Sequence, residues 1–135
     1  MPADEMRSRF ASARVARLAT LQPDGSPHLV PVTFAVDGDA LAFAVDAKPK
    51  TTQRLQRLRN IERDPRVSLL VDEYADDWSR LWWVRIDGTA QQVAGAVAER
   101  WMTRLQAKYE QYQASPPAGP VVEIRIDRWT GWQAT

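Results

Sequence analysis

The sequence predicts a mainly β fold, a six-stranded antiparallel barrel with appended helices. Three observations carry that prediction. Six stretches have strand composition and spacing. Tight-turn residues separate several of them. No repeat or long linker interrupts the 135 residues, so the expectation is one domain over residues 1–135, with strands packed as a barrel and helices laid against it.

The elements follow in order. Residues 3–13 read as a short helix, with Met6, Phe10 and Ala13 on one face and Asp4 and Glu5 favourably placed in the first turn. Strand one is Val15 to Leu21. Pro23-Asp24-Gly25-Ser26 forms a turn, because proline presets one dihedral and glycine permits a positive one. Strand two runs from about His28 to Val36 and is apolar on both faces, which implies burial on both sides. Pro31 within it has no amide to donate, so it implies an edge or a bulge. Asp37-Gly38-Asp39 makes the next hairpin turn.

Strand three covers Ala40 to Val45, and the small side chains of Ala40, Ala42 and Ala44 leave room for something flat to approach the sheet. A helix over about Thr51 to Asn60 buries Leu55 and Leu58. Val67 to Val71 is strand four and Leu81 to Val93 strand five. A continuous helix from Gly95 to Gln113 carries Val97, Trp101, Leu105, Tyr109 and Tyr112 as one stripe. The loop Ser115 to Pro120 ends it, and strand six runs from Val121 to about Trp132.

Composition narrows the chemistry. There is no cysteine, which excludes disulfides, thiolate metal sites and a thiol nucleophile, and fits a cytoplasmic protein. No apolar run approaches the roughly 20 residues of a membrane span, so no membrane partner is expected. The single histidine, His28, is too few for the usual triads or zinc sites, and no metal site is expected. No glycine-rich dinucleotide or Walker loop is present. Asp76 and Asp77 read as solvated turn residues. An enzyme so poor in catalytic side chains needs a cofactor for its chemistry, and its catalytic residues stay unassigned.

The strongest functional signal is charge. Between residues 48 and 66 stand Lys48, Lys50, Arg54, Arg57, Arg59, Arg63 and Arg66 against only Glu62 and Asp64, a segment charge of +5. The whole chain is +1, so the remainder sums to −4. Lys48, Lys50 and Thr51 sit at a strand-to-helix junction, where ammonium groups and backbone amides converge on an anion, with phosphate the first candidate. Arg54, Arg57 and Arg63 read equally well as the wet face of an amphipathic helix. A net charge of only +1 argues against nucleic acid as the partner. Trp78, in a polar loop, is the tryptophan best placed to stack on a planar ring; the others read as packing residues.

Four segments together resemble the pyridoxamine 5′-phosphate oxidase-like flavin and deazaflavin proteins. They are ARLATLQPDGSPHLVPVTFAVDGDAL, KPKTTQRLQRLRNIERDPRVSLLVD, WSRLWWVRIDGTA and RIDRWTGW, covering most of residues 13–132. Within that family the chain is most similar to a small actinobacterial class that uses coenzyme F-420. The resemblance implies a split β-barrel of the FMN-binding type and a homodimer with two cofactors at the subunit interface. It implies that Pro31, Val32 and Thr33 pass beside the ring system. It implies that Lys48, Lys50 and Thr51 hold the phosphate with Arg54 or Arg57 assisting, and that Trp78 and Arg80 come from the other subunit. No match to the family's pyridoxal phosphate-binding residues is found.

The function so implied is an oxidoreductase passing hydride from reduced F-420 to a small organic acceptor. Two alternatives stand beside it. One is an FMN-dependent oxidoreductase. The other is a non-catalytic binder of flavin, deazaflavin or haem, for which His28 is the one available imidazole.

Overall fold

The computed structural model describes residues 1–45 and 52–135, of which residues 52–55 by backbone only. Helix α1 is Ala3–Ser12. Strands β1 (Ala16–Leu21), β2 (Pro27–Val32), β3 (Ala35–Asp37) and β4 (Ala40–Ala44) follow. Helix α2 (Thr52–Arg63) leads into β5 (Arg66–Glu73), and a short 3-10 helix (Trp78–Arg80) into β6 (Trp82–Val93). Helices α3 (Gly95–Lys108) and α4 (Glu110–Ala114) precede β7 (Val121–Gln133).

The strands form one antiparallel sheet in the order β2-β1-β5-β6-β7-β4-β3. It holds seven strands rather than six, and it is open rather than closed. The extra strand arises because the predicted strand two is broken at Thr33 and Phe34. Its first part pairs with β1, with Ala16 opposite Val32, and its second with β4, with Ala35 opposite Ala42.

Pro31 stands on the edge strand β2, where a missing amide costs no ladder bond. The same position corrects the expectation of two-sided burial. Val32 is buried, but Pro27, Leu29 and Pro31 face outward, with Leu29 65% exposed. Both predicted turns are present. Ser26 donates from its amide and its hydroxyl to Asp24 (2.9 and 2.5 Å), and Gly38 adopts a φ of 60° that its hairpin requires.

Two buried clusters hold the sheet. The larger one packs Phe10 of α1 and Ile61 of α2 against Leu18, Phe34, Leu41, Phe43, Leu69, Val84, Ile86 and Ile124. The smaller packs Trp101, Leu105 and Tyr109 onto Ala35, Ala42 and Val121. Ala42 is buried and Ala40 and Ala44 are partly buried against the α3 cluster, so the row mainly receives a helix rather than a flat ligand. The small row lets a helix approach closely and seats the Trp101 ring, whose Nε1 donates to Glu123 at 2.7 Å.

The predicted helix over 95–113 is also divided. Tyr109 is extended (φ −117°, ψ 114°) between α3 and α4. Helix α2 is tied to β1 by a polar chain. Gln56 Nε2 donates to Asn60 (2.8 Å), Asn60 Nδ2 donates to the buried Thr20 hydroxyl (3.0 Å), and Arg63 donates to the carbonyl of Leu21.

Candidate functional site

The strand registers place two groups of the candidate residues, Pro31–Thr33 and Trp78–Arg80, at one end of the sheet. Ala16 is opposite Val32, Arg17 is opposite Leu70, and Glu73 is opposite Trp82. The exit of β2, the start of β1 and the exit of β5 therefore share an end. Thr33 leaves the sheet there, and so does the segment that forms the 3-10 helix.

Pro31 is exposed, Val32 is buried, and Thr33 is half-buried with its Oγ1 2.6 Å from the Tyr112 hydroxyl. Trp78 and Arg80 belong to the 3-10 helix between β5 and β6. Asp77 caps that helix, accepting from the amide (3.1 Å) and hydroxyl (2.6 Å) of Ser79. Those bonds hold the Asp77 carboxyl below its ordinary pKa. Trp78 is 69% exposed, its indole Nε1 donating to the Tyr74 hydroxyl at 3.4 Å. Within one chain the structure thus carries Pro31–Thr33 and Trp78–Arg80 on separate segments at a common end.

Between these segments the outer face of the sheet is open. A groove of about 640 Å³ runs over β1, β5 and β6, lined by Leu29, Leu70, Trp83 and Trp132 with Arg17 and Arg85 among them. Leu70, Tyr74 and Trp132 are exposed there as well as Leu29. Sequence reasoning missed this groove. Trp83 and Trp132 read as core or dimer packing, and they face each other across β6 and β7 on the uncovered side. The alternation along β6 was the available signal.

The cationic segment is divided. Lys48, Lys50 and Thr51 lie outside the described residues, as does the side chain of Arg54. Arg57 is half-buried with its guanidinium carbon 5.6 Å from the centre of the Phe43 ring. Arg63 binds the Leu21 carbonyl, and Arg66 pairs with Asp64 at 2.7 Å, which lowers the Asp64 pKa to about 2. Part of the cation excess thus serves the fold.

A second polar group gathers at the same end of the sheet. The Lys108 ammonium lies 3.7 Å from the centre of the Phe34 ring, and its nitrogen is buried without a hydrogen-bond acceptor among the described residues. Burial, and then the charge of Arg14, bring its pKa down to about 8. Burial also raises the pKa of the adjacent Tyr109.

The family model described as pyridoxamine 5′-phosphate oxidase matches residues 2–133. The chain belongs to the pyridoxamine 5′-phosphate oxidase family. Among curated proteins, it is 33% identical over 85 residues to a 5a,11a-dehydrotetracycline/5a,11a-dehydrooxytetracycline reductase of Streptomyces rimosus. That match covers 62% of this chain and 58% of the reductase. Among solved structures, a conserved hypothetical protein of Mycobacterium tuberculosis superposes with a TM-score of 0.78 at 27% identity, covering 98% of this chain and 85% of that one. An FAD-binding protein of Mesorhizobium loti gives 0.75 at 21%, covering 100% and 96%. A haem storage protein of Vibrio cholerae gives 0.72 at 15%, covering 98% and 95%. The fold is thus the one that family shares, and its neighbours handle flavins and haem.

Proposed function

We propose that the protein is a homodimeric oxidoreductase that uses reduced coenzyme F-420 to deliver hydride to a small organic acceptor. The likeness to a reductase carries this reading. The chain's own inventory agrees with it, since one histidine and no cysteine leave little acid–base apparatus beyond what a cofactor brings.

The described residues fit such a cofactor in chemistry. An open, largely apolar groove, with Arg17 and Arg85 as well as Asp72 and Glu73 along it, suits a planar ring. Exposed Leu29, Leu70 and Trp132 form a patch of the kind that marks an interface. A second copy laid on that face would bury it twice over about a two-fold axis and enclose the groove. Trp78 and Arg80 of each chain would then close the site of the other. When bound, the reduced cofactor supplies the hydride. The chain binds, orients and shields it: Lys48, Lys50 and Thr51 hold the phosphate, Pro31–Thr33 wall one side, and the groove excludes water. The further cations of α2 suit the polyanionic tail that distinguishes F-420 from FMN.

The FAD-binding neighbour favours a second reading, an FMN-dependent oxidoreductase. The haem storage neighbour favours a third, a non-catalytic binder. Parallel titration of the purified protein with F-420, FMN and haem separates the three. Tightest binding of F-420 is expected; preference for FMN or haem replaces the proposal with the corresponding alternative. Lys50→Glu should weaken cofactor binding roughly 10- to 100-fold, the loss of a charge-assisted phosphate contact. Unchanged affinity would remove Lys50 from the site.

A further inference from the structure

Helix α3 stops where the sequence gives it no reason to. The segment Lys108-Tyr109-Glu110-Gln111-Tyr112 contains neither glycine nor proline, yet Tyr109 is extended and α4 begins anew after it. The contacts made at the break supply the reason. The Tyr109 hydroxyl donates to the carbonyl of Arg14 (2.9 Å) and accepts from the amide of Phe34 (3.2 Å). The Tyr112 hydroxyl shares its 2.6 Å bond with Thr33. The Lys108 nitrogen sits against the Phe34 ring. Arg14 stacks its guanidinium 4.6 Å over the Tyr109 ring and donates to the Lys108 carbonyl at 3.0 Å.

Every one of these side chains converges on Thr33 and Phe34 or on the Arg14 segment beside them. Thr33 and Phe34 are where the chain leaves β2 and passes to β3, so neither belongs to a strand. The buried Phe34 amide is satisfied by a phenol 75 residues away instead of a strand partner. A conformation that no ladder holds is being held by three side chains from one helix junction.

We infer that the α3–α4 junction is a positioning device: Tyr109 and Tyr112 fix the backbone at Thr33–Phe34 and thereby set where Pro31–Thr33 stand against the bound cofactor. This rests on the proposed function for its consequence but not for its geometry. Tyr109 and Tyr112 are positioning residues that act through strand β2. The junction keeps its break because re-forming a continuous helix would withdraw the hydroxyls from Phe34 and Thr33.

Two measurements on the full chain test it. Amide hydrogen exchange, followed residue by residue without cofactor, reads the clamp directly. Tyr109→Phe should speed exchange at Phe34 by about fivefold to tenfold, the effect of one lost hydrogen bond, while amides of β5 and β6 keep their rates. Unchanged Phe34 exchange overturns the clamp. The second measurement is affinity for F-420 or FMN, whichever the unaltered protein binds. Tyr112→Phe, a half-buried position that tolerates the change, should weaken binding by about fivefold with the melting temperature nearly unmoved. An unchanged dissociation constant overturns the link to the cofactor, as does a loss that only tracks melting temperature. If the unaltered protein binds neither cofactor, the functional reading falls, and exchange at Phe34 still decides whether the clamp exists.

Discussion

Two apolar regions of the same sheet meet opposite fates. On β4, Ala42 is buried and Ala40 and Ala44 partly buried beneath α3, with Trp101 and Leu105 packed against their small side chains. On β2, β5, β6 and β7, Leu29, Leu70, Trp83 and Trp132 line a groove that no helix among the described residues covers. Hydrophobic residues on both faces of a strand say that each face is covered, and say nothing about what covers it. One region is closed by the chain's own helix. The other is open among the described residues, and the dimer proposal concentrates there.

The comparison breaks or sharpens at particular residues. Leu105→Ala, in the face the chain covers itself, should cost about 2–5 kcal/mol of unfolding free energy by denaturant titration. A cost under about 1 kcal/mol would mean that α3 is a loose cover and the contrast false. Leu70→Asp, in the open groove, should leave one chain's stability within about 0.5 kcal/mol while sedimentation shows the dimer lost. A cost matching that of Leu105→Ala would make the groove part of the intramolecular core.

The smallest effect comes from pH. Lys108 faces Arg14 from the α1–β1 link, Phe34 from the β2–β3 passage, and Tyr109 from its own junction, with no carboxylate paired to it among the described residues. Its folded pKa of about 8 lies below the ordinary 10.5, so the unfolded chain binds the extra proton. Stability should therefore rise as pH increases from about 8 toward 10.5 and carry the full penalty below that window. Lys108→Met should flatten this rise. A rise that persists in the variant assigns it to another group.

What the sequence made legible was what local chemistry decides. Pro23–Ser26 and Asp37–Asp39 named their hairpins because turn residues act on their own dihedrals, and Pro31 pointed to an edge because a missing amide is a property of one residue. The break at Thr33–Phe34 and the break at Tyr109 were hidden for a common reason. Each is bonded to the other, across 75 and 79 residues; the break at Tyr109 has no glycine or proline to announce it, and Pro31, two residues before the other, implied an edge or a bulge but not a new strand partner. The site was legible in the same uneven way. The exposure of Trp78 followed from its polar surroundings, whereas nothing in the sequence singled out Lys108. Arg63 and Arg66 counted toward an anion site but answer to Leu21 and Asp64.

The strand order has a consequence for how the protein comes into being. β3 and β4 join the rest of the sheet only through β7, where Leu41 meets Ile124 and Phe43 meets Val122. As the chain emerges from the ribosome, that early hairpin must wait through α2, the short 3-10 helix, α3 and α4 and the whole of β5 and β6 for its neighbour to be made. Pairings so distant close slowly. Until the last strand arrives, an apolar hairpin stands with a free edge, the kind of surface on which nascent chains are held by chaperones or lost to aggregation.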